Sequence, residues 1–133
     1  MQKAAKCTTH NAQRTMIAKN NPIEEKSFAF SVRIVNLHRH LTKKEKEFVL
    51  SKQILRSGTS IGANVSEAEY AQTKPDFYAK MSIALKEANE THYWLRLLYA
   101  GKYIKEAEFN SMSKDVNELI RLLISICKTA QSK

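Results

Sequence analysis

An all-α fold follows from three features of the sequence. Only three glycines and two prolines occur in 133 residues, which is too little turn chemistry for a many-stranded sheet. Ala, Leu, Ile, Lys, Glu and Arg, the better helix formers, are abundant instead. Apolar residues recur at intervals of three and four over most of the length, the spacing of one buried helix face. A hydrophobic fraction of 43% is ordinary for a globular chain, and this length suits one domain with one core.

Residues 1–21 mix Lys, Thr, Asn, Gln and Ala without a sustained period and end in the breaker Asn20-Asn21-Pro22. They read as a flexible basic tail, ahead of a bundle domain over residues 22–133. Met16 is an alternative start, which would make the first 15 residues an extension outside the fold. The first helix is expected from about Pro22 or Ile23 to His40. Glu24 and Glu25 suit its positive end, and His38, Arg39 and His40 its negative end. Phe30, Ile34, Leu37 and Leu41 form its core stripe, flanked by Phe28 and Val35.

Thr42-Lys-Lys-Glu45 has capping-box spacing and should open a second helix running from Lys43 to about Ala71. Phe48, Leu55 and Gly62 step by sevens along one face of it, and Val65 continues that face. Gly58 and Gly62 each cost about 1 kcal/mol against Ala inside a helix. A neighbouring helix packed closely on a smooth strip of Gly58, Gly62 and Ala63 would offset that cost. A kink near Gly58, or a separate helix from Ser60, is the alternative. Thr73-Lys-Pro-Asp76 is a second capping-box spacing, with Pro75 in the tolerated first turn. The third helix follows over residues 74–100, with Phe77, Met81, Ala84, Leu85, Ala88, Leu95, Leu98 and Tyr99 as its apolar pattern, and Gly101 ends it. The fourth, from Glu106 to about Thr129, carries Phe109, Met112, Val116, Leu119, Ile120, Leu123, Ile126 and Cys127. Short links force antiparallel neighbours, so the expected architecture is an antiparallel up-down-up-down four-helix bundle.

The chemistry in the sequence is sparse. Glu87, Glu90 and His92 lack the Glu-x-x-His spacing of bundle metal sites, and Cys7 with His10 supplies two ligands where three or four are needed. Histidines at 10, 38, 40 and 92 suggest no nucleophile-base grouping, and GTSIG at 58–62 lacks the glycine spacing and Lys-Ser/Thr of a phosphate loop. The expectation is a protein that is not an enzyme and needs no cofactor or metal. Glu87 and Glu90 lie near the apolar stripe and call for polar partners; Arg56, Ser60 and Asn64 are the candidates for a layer that fixes helix register. Cys7 and Cys127 do not form a disulfide framework, and no apolar run reaches membrane-spanning length. Both observations point to a cytoplasmic protein with no membrane partner.

The formal charge of +9 attracts polyanions. Lys3, Lys6, Arg14 and Lys19 put part of it on the tail, whereas Lys43, Lys44, Lys46, Lys52, Lys80 and Lys86 are the candidate phosphate contacts on the helices. Tyr93, Trp94, Tyr99 and Tyr103 suit a core or subunit interface, with base stacking as the alternative.

Four stretches resemble the family of the bacterial ribosomal RNA intervening-sequence protein: EKSFAFSVRIVNL (25–37), QILRSGTSIGANVSEAEYAQ (53–72), DFYAKMSIALKEANETHYWLRLL (76–98) and, more loosely, LIRLLISICKT (119–129). The likeness spans roughly residues 22–130 and implies a four-helix bundle assembling as a homopentamer, with no catalytic residues to carry over. A similar pentameric bundle is the accessory protein of diversity-generating retroelements, where a basic surface is associated with nucleic acid. The resemblance therefore implies RNA or DNA as partner only by analogy. The alternative is a protein-protein interaction scaffold whose charge serves solubility or an acidic partner.

Overall fold

The computed structural model describes residues 22–131, and the tail over residues 1–21, with Cys7 and His10, lies outside the described residues. Four helices account for nearly all of them: α1 (Ile23–Lys43), α2 (Leu50–Ala68), α3 (Lys74–Ala100) and α4 (Glu106–Gln131), with no strand among the described residues. The architecture is an all-α four-helix bundle in which consecutive helices pack together and α1 also meets α4.

Each helix buries one stripe. Ile23, Ser27, Phe30, Ile34, Leu37 and Leu41 of α1 meet Ile54, Gly58, Ile61, Val65 and Ala68 of α2. Phe77, Met81, Ala84, Ala88, Leu95 and Leu98 of α3 join Met112, Val116, Leu119, Leu123 and Ile126 of α4 to complete the core. Charge at the helix ends follows the macrodipole: Glu24 and Glu25 open α1, His40 and Lys43 close it, and Glu106 and Glu108 open α4. Thr73 caps α3 as its spacing predicts, its hydroxyl accepting the Asp76 amide at 3.1 Å. Gly101 closes α3 by donating its amide to Leu97 O, and the left-handed residue of the link is Lys102, at φ 69°.

The expected second helix is wrong at both ends. Thr42 stays inside α1, where its hydroxyl donates to His38 O at 3.0 Å rather than capping anything. Residues 44–49 are non-helical, and α2 begins only at Leu50 and stops at Ala68. The opening amides of α2 are held by the Glu47 carboxylate instead, Lys43 belongs to the end of α1, and Phe48 lies outside α2 with 59% of its surface exposed. The buried stripe of α2 consequently runs through Ile54, Ile61 and Val65, and Leu55 sits at its margin.

The glycines do lie at a close helix contact, within an uninterrupted α2. A Cβ on Gly58 would come within 2.7–2.9 Å of three Ile34 side-chain carbons. One on Gly62 would meet Ser31 Oγ at 3.1 Å and the Ser27 carbonyl at 3.3 Å. Space for a side chain is therefore tight where α2 crosses α1, whereas Ala63 is exposed and lines the open groove beside that crossing. Phe28 and Val35, expected to flank the core stripe of α1, point away from it and are 71% and 40% exposed.

Candidate nucleic-acid interface

The basic segment between α1 and α2 is shaped by one buried carboxylate. Glu47 is 9% exposed and accepts amides from Val49 at 3.1 Å, Leu50 at 2.8 Å and Ser51 at 2.7 Å. Those amides are unpaired donors at the start of α2, so the carboxylate satisfies them and complements the positive helix end. Burial pushes the Glu47 carboxyl up, but the Leu50, Ser51 and Val49 amides together with the Ser51 hydroxyl outweigh it and hold the group below its ordinary range. The backbone around it is fixed as well: the Glu47 amide donates to Leu41 O at 2.9 Å, and Lys46 takes a left-handed φ of 57°.

This geometry takes one acid of the segment, Glu47, out of solvent, while Glu45 stays exposed. Glu47 points inward, and Glu45 lies 3.5 Å from His40 Nε2. Lys43, Lys44, Lys46 and Lys52 are all exposed, on the last turn of α1, the link and the first turn of α2. None of the four has an ion-pair partner among the described residues.

Lys80 and Lys86 do not join them. Lys80 is bound to Glu67 of α2 at 2.8 Å, and that hydrogen bond and the attraction of the carboxylate raise its pKa. Glu67 lies 15 residues beyond Lys52 on α2, about 22 Å along the helix axis. Lys86 is exposed on α3, one residue from Glu87, whose partner is Arg56. The six candidate lysines thus separate into four on and beside the link, one tied by a carboxylate and one on α3.

The polar residues proposed as a register layer also separate. Arg56 Nη1 donates to Glu87 Oε1 at 3.2 Å and its Nη2 to Glu90 Oε2, which also accepts Trp94 Nε1 at 2.9 Å. Arg56 is half exposed, so the network lies on the bundle's edge. Ser60 and Asn64 stay out of it: Ser60 Oγ donates to Arg56 O at 2.6 Å, and Asn64 Nδ2 to Ser60 O at 2.8 Å, each within its own helix. The buried polar link between α2 and α3 is instead the Ser57–Thr91 hydroxyl pair, 2.9 Å apart and fully enclosed. Its only trace in the sequence is a hydroxyl residue at a core position of each helix.

The remaining reactive groups do not converge. Burial, and then the Arg96 charge, lower the His92 pKa, while burial raises the Cys127 thiol against a weaker opposing contact from Ser82. No group of three or more metal-ligating side chains occurs among the described residues. No helix among them is long and apolar enough to cross a membrane. One open surface groove, between α3 and α4, is lined by Tyr93, Arg96, Leu97 and Phe109, with Tyr99 stacked on Phe109 at 4.7 Å. Another, between α1 and α2, is lined by Phe28, Ser31, Thr59, Gly62 and Ser66, with Glu24 beside them.

These features define a four-helix bundle with a basic link and no assembled acid-base constellation among the described residues. Residues 19–125 match the family model described as the 23S rRNA-intervening sequence protein. The chain belongs to that family. It is also similar to a crystallised protein of unknown function from the S23 ribosomal protein family of Bacteroides thetaiotaomicron, at 57% identity over 80% of this chain and 95% of the other, with a TM-score of 0.79. No curated protein matches the chain.

Proposed function

We propose that the protein is a non-enzymatic, homo-oligomeric bundle that binds RNA or DNA phosphates through its basic link without reading sequence. The exposed Lys43, Lys44, Lys46 and Lys52 on and beside the link, where Glu47 is drawn inward and Glu45 is the one exposed acid, carry this reading. Four ammonium groups on a fixed segment can neutralise phosphates and release counterions but have no fork to match a base edge. The family's association with a 23S rRNA intervening sequence supports a ribosomal-RNA-related role in the bacterial cytoplasm.

Pairings between helices support an up-down-up-down order: Ile34 with Gly58, Ser27 with Gly62, Ser57 with Thr91, Glu67 with Lys80, and Tyr99 with Phe109. In that order the α1–α2 and α3–α4 links share one end of the bundle, which adds the exposed Lys102 and Lys105 to the four lysines. Self-association is supported by Phe28, Val32 and Val35, 71%, 46% and 40% exposed and spaced four and three on α1. The family resemblance supports five copies.

The same apolar stripe favours the second reading, a protein-protein scaffold with no nucleic-acid role. Mass measurement in solution, with and without cellular RNA, separates the two. The expected result is about five times the 15.2 kDa chain mass, with added RNA retained at low salt and released as salt rises. A monomer, or an oligomer whose mass ignores RNA at low salt, overturns the proposal.

A further inference from the structure

Residues 44–49 do more than connect two helices. The Glu47 clamp on three amides and on Leu41 O fixes the backbone, and Ser51 Oγ ties back to Glu47 O at 2.9 Å. The two residues next to the clamped one, Phe48 and Val49, are nevertheless 59% and 71% exposed. An apolar pair held outward by a buried, triply bonded carboxylate is preorganised for contact with something outside the chain. The ring lies in sequence between Lys43, Lys44 and Lys46 on one side and Lys52 on the other, all exposed.

We propose that Phe48 is a base-stacking residue, which receives an unpaired nucleobase of single-stranded RNA on its ring while the flanking lysines take the adjoining phosphates. An aromatic face set among cations is the combination that holds single strands without sequence preference, because every base offers a π-face. Two links face to face would bring like charges together, which disfavours link-to-link pairing. The proposal rests on the nucleic-acid reading above and adds the strand type and the residue that senses it.

The test uses the full chain and a short RNA carrying 2-aminopurine, single-stranded or annealed, at low salt. The wild type should perturb the fluorescence of the single strand. Phe48→Ala and Phe48→Leu should each weaken single-strand binding by about fivefold or more, Phe48→Tyr should retain it, and duplex binding should be unchanged. Phosphate contacts survive in all three variants, so their salt dependence should match the wild type. Equal binding by Phe48→Leu and wild type overturns stacking, because leucine keeps apolar bulk without a ring. If lysine variants lose RNA while Phe48→Ala does not, stacking falls and the phosphate reading stands. No RNA binding at all takes both down. A Phe48→Ala protein that changes oligomeric mass, or that loses affinity only for anionic phospholipid vesicles, assigns the ring to another partner and overturns the proposal.

Discussion

Gly58→Ala places a methyl group within 2.7–2.9 Å of Cγ1, Cδ1 and Cγ2 of Ile34, a side chain with no exposed surface. Carbon atoms at optimal separation lie about 3.5–4.0 Å apart, so Ile34 or the α1–α2 crossing must shift. All three carbons belong to a β-branched, enclosed side chain, which cannot swing aside as a long flexible one would. Overpacking of this kind costs about 1–3 kcal/mol, while replacing a mid-helix glycine by Ala returns about 1 kcal/mol. The clash involves three atoms at once, so the expected net loss is about 1–2 kcal/mol. In urea unfolding the midpoint should fall with an unchanged slope. The decisive comparison is the same substitution in an Ile34→Ala background, where the three clashing carbons are gone. Ile34→Ala alone should cost about 2–5 kcal/mol. Upon that background Gly58→Ala should change sign and stabilise by about 1 kcal/mol, a coupling of roughly 2–3 kcal/mol. Gly58→Ala that stabilises the wild type, or that has the same effect in both backgrounds, would refute close packing as the reason for the glycine.

Glu47→Gln should destabilise the protein by about 1–2 kcal/mol at neutral pH, since one amide oxygen replaces a carboxylate that accepts three backbone amides. The folded-state pKa of Glu47 lies below its ordinary value, so its stabilisation is present above about pH 4.3 and lost as pH falls through the folded value. The variant's stability curve should therefore be flatter than wild type on the acid side in urea titrations; parallel curves would contradict the cap. Thr91→Val removes the partner of the enclosed Ser57 hydroxyl and should cost about 1–2 kcal/mol by thermal unfolding, with Ser57→Ala in the same chain recovering part of it. Arg56→Ala, by contrast, breaks a half-exposed network and should cost no more than about 1 kcal/mol, less in high salt, as read by chemical unfolding.

Helical periodicity exposed the core of α3 and α4 because Phe77, Met81, Ala88, Val116 and Leu123 repeat on one face and the real packing uses that face. Thr73 was legible because a cap needs only local spacing. The link between α1 and α2 was hidden for the same reason. TKKEKEF offers strong helix formers and a capping-box match, so local preference favours continuing through it, but the Glu47 amide binds Leu41 O and its carboxylate serves the following turn. That choice is made by the whole link, not by any single spacing. Gly58 and Gly62 signalled a close approach, yet which helix approached, and that Ile34 fills the gap at Gly58, required the three-dimensional crossing. Arg56 reaching Glu87 and Glu90 followed from charge and helix face, whereas the Ser57–Thr91 pair did not, because two hydroxyls 34 residues apart carry no charge pattern. The basic surface was visible as a count of lysines. That Lys80 is bound to Glu67 while four others on and beside the link stay unpaired among the described residues depends on which carboxylates the fold turns inward or toward a lysine.

The salt dependence of RNA binding, compared between wild type and a chain with Lys43, Lys44, Lys46 and Lys52 all replaced by Ala, tests the phosphate-binding role of the link most directly. Each lost contact should lower the log-log slope by about 0.7 for a single strand, so removing four should lower it by about 3, equally for two RNAs of unrelated sequence. An unchanged slope, or affinities that follow the RNA sequence rather than the salt, would contradict it.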